Sequence, residues 1–195
     1  MPVAVRRAEP ERLPVLASVL GRAFVAEPMV CWPFGEGGDV EEKCIRTFEY
    51  FLEELIGLGI VWEAGDALGA SIWFSPADRA TWEAAQIHDR RIDVLTDDDG
   101  VRYDAFWEWV DARIPAEPAW HLDSIGVEPS IQGRGIGTAL MEHGLERARE
   151  SGVAVVLETA QERNVPYYER FGFRTVEDAD APGDGPHVWF MRWEP

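Results

Sequence analysis

Residues 121 to 138 carry two groupings of side chains suited to chemistry. Gln132-Gly133-Arg134-Gly135-Ile136-Gly137-Thr138 lies between the alternating apolar segment His121–Val127 and a stretch where Ile136, Ala139, Leu140 and Leu145 recur at helical spacing. A strand, a glycine-rich turn and a helix start make an anion site. The free N–H groups of the first helical turn point into the loop, the helix dipole favours negative charge, and glycine lets backbone approach a phosphate. The loop is therefore read as a pyrophosphate cradle, with Arg134 adding charge or facing solvent. It is not the dinucleotide fingerprint, because counting from Gly133 the glycines fall first, third and fifth, with Thr138 sixth. Nor is it a Walker loop, since no lysine precedes Thr138. Upstream, His121 and Asp123 stand two apart on one strand and so share a face. A histidine that titrates near neutrality suits proton transfer, and a hydrogen-bonded structural histidine is the competing role.

These groups need a scaffold, and the rest of the chain reads as one mixed α/β domain spanning 1–195. Val3–Val5 starts a strand, a helix runs from Pro10 toward Phe24, and Glu27-Pro28 breaks it. A second helix is expected over Val40–Leu58, with Ile45, Phe48, Phe51, Leu52, Leu55 and Ile56 as its apolar face. Strands follow at Gly59–Glu63 and Ala67–Phe74 around Gly65-Asp66, a hairpin signal. Residues 78–113 look helical but interrupted by Asp97-Asp98-Asp99-Gly100. Strands are expected at Trp120–Val127 and Val153–Thr159, then at Phe173–Val176 and Val188–Trp193 around Pro182–Pro186.

Composition narrows the partners. The chain has 195 residues, 46% of them hydrophobic, enough for a sizeable core. It carries 36 acidic against 18 basic residues, a formal charge of −18, with Lys43 as the sole lysine. That balance argues against nucleic acid or an anionic membrane as partner. It suits cationic amines, and equally a GC-rich genome or a salty cytoplasm. No apolar run is long enough to span a bilayer, and residues 1–12 lack the apolar core of a signal peptide. Cys31 and Cys44 have no metal-ligand spacing, so a reduced, cytoplasmic setting is expected, with both as small buried apolar residues.

Two ordered motifs give a resemblance. Gln132-x-x-Gly135-x-Gly137 after a strand is similar to the coenzyme A loop of the Gcn5-related N-acetyltransferases (GNAT). Asn164-Val165-Pro166-Tyr167-Tyr168-Glu169-Arg170-Phe171-Gly172-Phe173 is similar to that family's Asn…Tyr-x-x-x-Gly-Phe segment. Glu117-Pro118-Ala119-Trp120, Leu157-Glu158-Thr159 and Gly185-Pro186 extend the likeness to puromycin N-acetyltransferase-type members. The resemblance implies an α+β mixed sheet of about seven strands, mostly antiparallel, splayed in a V between the fourth and fifth. Residues 120–195 would bind acetyl-CoA and 1–119 would shape the acceptor pocket.

It also implies roles. Amides around Ile125, Gly126 and Val127 would hold the pantetheine arm and polarise the thioester carbonyl, and residues 132–138 would hold the pyrophosphate. Asn164 would bond the cofactor, with a helix N-cap as its alternative role. Tyr168, rather than Tyr167, would protonate the departing sulfur. His121 or Asp123 would be the general base, with Glu158 acting through water as another option. Trp32, Phe34 and Trp73 are candidates to line the acceptor pocket, core packing being the alternative for Trp73. The implied reaction is direct acetyl transfer to a small primary amine in a ternary complex, with no metal; the resemblance also allows a homodimer. A non-catalytic acyl-CoA-binding module and a peptide N-acetyltransferase are the competing readings.

Overall fold

The computed structural model describes residues 3–35, 37–78 and 91–195. Its regular elements run, in chain order, β1 (Val5–Arg7), α1 (Leu13–Phe24), α2 (Pro28–Cys31), α3 (Val40–Leu55), β2 (Val61–Ala64), β3 (Gly69–Phe74), α4 (Val101–Asp111), β4 (Trp120–Val127), α5 (Ile136–Ser151), β5 (Val155–Thr159), α6 (Val165–Glu169), β6 (Arg174–Asp180) and β7 (His187–Trp193). The interrupted helical reading of 78–113 holds for α4; its residues 79–90 lie outside those described.

The strands form one seven-stranded sheet in the order β1-β2-β3-β4-β5-β7-β6. All described pairings are antiparallel except β4 with β5. That parallel pair is joined through α5, as a crossover requires. β3 is buried along its whole length because it is covered on both faces. Ile72 and Phe74 pack under α1 and α3, with Leu16, Leu20, Phe48 and Leu52. Trp73 points the other way, into a second core with Met141, Leu145, Leu157 and Tyr168.

Local chemistry sets the element ends. Asp39 caps α3, its carboxylate accepting from the Glu42 amide at 3.1 Å. The expected helical run to Leu58 ends in a tightened turn over Ile56–Leu58, which Gly59 closes with φ of 73°. The hairpin at Gly65-Asp66 holds three successive left-handed residues, Gly65, Asp66 and Ala67. Close approaches fix the helices. A Cβ on Gly21 would lie 2.5 Å from Ile45, so α1 and α3 meet backbone to side chain there. A Cβ on Gly144 would fall 2.2 Å from the Trp73 ring.

β6 runs well past the expected Val176, to Asp180. Its second half, Glu177-Asp178-Ala179-Asp180, is polar because this is an edge strand, and its ladder to β7 needs no apolar face.

Candidate functional site

The parallel β4–β5 pair is where the sheet opens. β4 meets β5 only at Trp120↔Val155 and His121↔Val156, although β4 continues to Val127 and β5 to Thr159. Beyond His121 the two strands part, as the expected splay requires. A cavity of about 1330 Å³ occupies the opening, lined along β4 from Leu122 to Val127. Two chemically different sets of residues complete its wall.

One set is the glycine loop. Gln132, Gly133, Gly135, Ile136, Gly137 and Thr138 all line the cavity. Gly133 and Gly135 have φ of 78° and 84°, and a Cβ at either would meet nothing within 4 Å. Positive φ explains glycine at both places, and the open space in front of them leaves room for a phosphate. Gln132 fastens the loop, its Nε2 donating to the Val127 carbonyl at 3.3 Å. The Ile136 side chain turns into the core beside Ala64 and Leu140, which anchors the start of α5. At Gly137 a Cβ would sit 3.1 Å from the Tyr167 hydroxyl, so this glycine makes room for α6. Arg134 is exposed and is not part of the cavity wall, whereas Arg163 and Arg170 are. These features fit a pyrophosphate-bearing cofactor.

The other set is acidic and aromatic. Glu27, Asp123 and Glu158 line the cavity with Phe34, Phe48, Tyr103 and Trp107. Glu27, at the turn between α1 and α2, is buried at 7% exposure. Its carboxylate accepts from the Ala160 amide at 3.1 Å and from the Thr159 hydroxyl at 3.3 Å. Burial raises its pKa above the ordinary carboxylate value against these hydrogen bonds. The Asn164 side-chain amide donates to the Thr159 hydroxyl oxygen at 3.2 Å. Asn164 lines the cavity and makes no side-chain cap to α6; it steadies Thr159, which in turn orients Glu27.

His121 and Asp123 do not act on one face, and a bulge is the reason. β3 and β4 slip register between Ile72↔Ser124 and Trp73↔Leu122, leaving Asp123 as the extra residue. The strict alternation that put the two together is broken there. Asp123 lines the main cavity, while His121 lines a small second pocket with Ser75, Ile114 and Glu117. His121 Nε2 lies 3.0 Å from both carboxylate oxygens of Glu158. Burial opposes charge on the imidazole, but Glu158, Asp123 and Asp111 outweigh it and raise its pKa above the ordinary value. A histidine on the far side of Glu158, outside the main cavity wall, positions that carboxylate rather than facing a ligand in the cavity.

Tyr168 is buried and lines the cavity, with its phenol pKa raised by burial first and then by the charges of Glu27 and Glu158. Phe34 lines the cavity as expected. Trp73 and Trp32 do not. Trp73 lies beneath α5 with its Nε1 donating to Ser71 Oγ at 3.1 Å. Trp32 packs on Phe106 at 5.9 Å, where a third core closes over α4. Each fills a core position that its aromatic bulk suits as well as it would a pocket.

The acidic cluster makes stability depend on pH. Burial pushes Asp111 and Asp123 up to about 6. A carboxyl with a raised folded pKa contributes stability below its unfolded value near 3.9, lost as pH rises through the folded one. His121 contributes in the same direction, its stabilisation complete below pH 6.5 and lost as pH climbs through its raised folded value. The thermal midpoint is expected to be higher at pH 5 than at pH 8, with Asp123→Asn flattening the profile. A midpoint at pH 8 equal to that at pH 5 would contradict this electrostatic picture.

Comparison with known proteins follows the same lines. The family model described as Acetyltransferase (GNAT) family matches residues 41–173. An uncharacterised N-acetyltransferase of Schizosaccharomyces pombe is 27% identical over 184 residues, 88% of this chain and 74% of that protein. Among solved structures, a histone acetyltransferase HPA2 and related acetyltransferase from Corynebacterium glutamicum superposes with a TM-score of 0.72 at 23% identity, covering 100% of this chain and 97% of that one. The Drosophila melanogaster polyamine N-acetyltransferase that forms N-acetylagmatine superposes with a TM-score of 0.63 at 16% identity, with both chains fully covered.

Proposed function

The chain belongs to the GNAT acetyltransferase family, and from that premise we propose that it acetylates the primary amine of a small, cationic molecule by direct transfer from acetyl-CoA. One observation carries the reading: a single cavity holds both the phosphate-type glycine loop and a group of three carboxylates, Glu27, Asp123 and Glu158. The first suits coenzyme A and the second suits an ammonium. The fold shared with the Drosophila polyamine enzyme supports it. The bound acetyl-CoA would supply an acyl group already activated as a thioester.

The chain's own residues divide the remaining tasks. Backbone amides of Gly133 to Thr138 hold the pyrophosphate, with Arg163 and Arg170 adding positive charge. β4 past His121 offers backbone groups, around Ile125, Gly126 and Val127, that β5 does not pair; these hold the pantetheine arm and polarise the carbonyl. An oxyanion donor of this kind lowers the barrier by about 3 kcal/mol. Asp123 and Glu158 hold the amine as its ammonium, Glu27 takes its proton, and Tyr168 donates toward the departing sulfur. Of the bases the sequence offered, His121 lies outside the main cavity beyond Glu158, while Asp123 and Glu158 are assigned to the ammonium, so the base role goes to Glu27, which was not among them.

Thermal denaturation with acetyl-CoA tests the cofactor half. Ligand at a hundred times its dissociation constant adds about 2.7 kcal/mol of stability. We expect a raised midpoint in the wild-type chain and none in Gly135→Glu, which sets a like charge in the cradle. No shift in the wild type would refute the assignment. A thiol-release assay over aliphatic diamines, arylalkylamines, puromycin and short peptides then tests the acceptor, and transfer to peptides alone would overturn the small-amine reading.

A further inference from the structure

Next to the acceptor side of the cavity, behind residues that line it, lies a thiol pair with no part in the transfer. Cys31, the last residue of α2, and Cys44, on α3, are the only cysteines of the chain. Their Sγ atoms are 3.8 Å apart. Cys44 is fully buried and Cys31 is partly open. The Cys31 thiol donates to the carbonyls of Phe24 and Val25, at 3.3 and 3.1 Å, and its amide donates to the Glu27 carbonyl at 3.0 Å. Cys31 is therefore tied through three contacts to the turn that carries Glu27. Val30, Phe34, Thr47 and Phe48, neighbours of the pair on their own segments, line the cavity.

We propose that Cys31 and Cys44 form a reversible disulfide on exposure to a hydroperoxide, and that this bond disables the acceptor side of the site. The effect on activity rests on the acetyl-transfer reading; the formation of the bond does not.

The chemistry balances without further reagents. Cys31, as thiolate, attacks one peroxide oxygen; the O–O bond breaks, leaving a sulfenic acid on Cys31 and releasing hydroxide. The Cys44 sulfur then attacks the Cys31 sulfur, the S–O bond breaks, and the Cys44 proton leaves with that hydroxyl as water. The first hydroxide takes up the proton that Cys31 lost. Two thiols and one hydrogen peroxide become one disulfide and two waters, the sulfurs losing the two electrons that the peroxide gains. The order follows from the surroundings. The hydrogen bond from Cys44 favours charge on Cys31 against the cost of its burial, while Cys44 itself is held protonated by that bond and by burial. A small oxidant can reach the partly open Cys31, and the enclosed Cys44 resolves it.

The bond would be felt at Glu27. Disulfide sulfurs sit about 2.05 Å apart, so the pair must close by roughly 1.8 Å. Cys31 also loses its S–H and with it the bonds to the carbonyls of Phe24 and Val25. Phe24 lines the cavity and stacks on Phe48 at 4.9 Å, so α2 and the turn before it shift together. A misplacement near 1 Å in a catalytic constellation can cost about a hundredfold in rate.

The test treats the full chain with hydrogen peroxide and reads three quantities. Peptide mapping without reductant should show residues 31 and 44 joined, with an intact mass lower by two hydrogens. Free-thiol titration should fall from two to none. The kcat/KM for amine should fall by roughly tenfold or more and return on treatment with a dithiol, while the acetyl-CoA thermal shift persists. Cys31→Ala and Cys44→Ala should each keep basal transfer and lose the dithiol-reversible response. Thiols that stay intact, a Cys31 that goes on to sulfinic acid with Cys44 free, or a bond between two chains would each overturn the proposal. A disulfide that leaves transfer unchanged would overturn its effect on the site. Absence of transfer by the reduced chain would count against the acetyl-transfer reading, since the bond is read by mass.

Discussion

Glu27→Gln is expected to lower kcat for acetyl transfer by about 10²- to 10⁴-fold, the range general-base catalysis covers, without weakening the fold. The carboxylate is buried and its pKa is raised, so ionisation at neutral pH costs stability. Glutamine keeps the shape and can still accept from the Ala160 amide, while the burial cost of the charge disappears. The variant should therefore unfold in urea at the same concentration as the wild type, or a higher one. Its acetyl-CoA thermal shift should be intact, because the glycine loop is elsewhere. In the wild type the acidic limb of kcat/KM should lie above the ordinary carboxylate range and be missing from the residual activity of the variant. Unchanged kcat would transfer the base role to Asp123, whose carboxyl titrates near 6.

Tyr168→Phe should lower kcat by about a hundredfold, at the smaller end of acid–base effects, with little change in KM for the amine. The phenol is a weak acid here, its pKa raised by burial and by the charges of Glu27 and Glu158. It stays protonated across the working range, so no basic limb in the pH profile belongs to it. A thiolate is a weaker base than such a phenolate, so complete proton transfer from Tyr168 runs uphill. Its benefit comes from hydrogen bonding to charge as it develops on sulfur, which explains the modest factor. The variant loses a hydroxyl with no hydrogen bond to another described residue, and the ring keeps its contact with Phe173 at 6.0 Å. Stability should hardly change. Turnover equal to wild type would remove Tyr168 from the chemistry.

The glycine loop, the strand before it and the helix after it were legible because each depends on local rules: alternation, positive φ and helical spacing. The seven-stranded sheet with its opening at β4 followed from family resemblance. What escaped was non-local. Glu27 read as part of a helix-breaking Glu-Pro, since its role depends on Ala160 and Thr159, more than a hundred residues away. One clue was available, a lone charge in the apolar stretch from Ala23 to Pro33. The separation of His121 from Asp123 was hidden for a different reason. A single extra residue in β4 reverses alternation, and no residue type between 121 and 124 marks a bulge. Trp73 shows the third kind of failure: strand position fixes that an aromatic is buried, while α5 above it decides whether the burial is core or cavity.

The parting of β4 from β5 has a meaning in terms of sheet edges. A strand with unpaired amides and carbonyls is normally a hazard, because any extended chain can add to it. Proteins blunt such edges at the periphery with charge or proline. Here two edges part from each other in the middle of the sheet and line a cavity instead of a flat periphery. A slender ligand with its own amides suits such an opening. Pantetheine has that form, so the gap can act as a vacant strand position whose occupant is a small molecule, the logic of strand addition to a sheet edge applied to a cofactor.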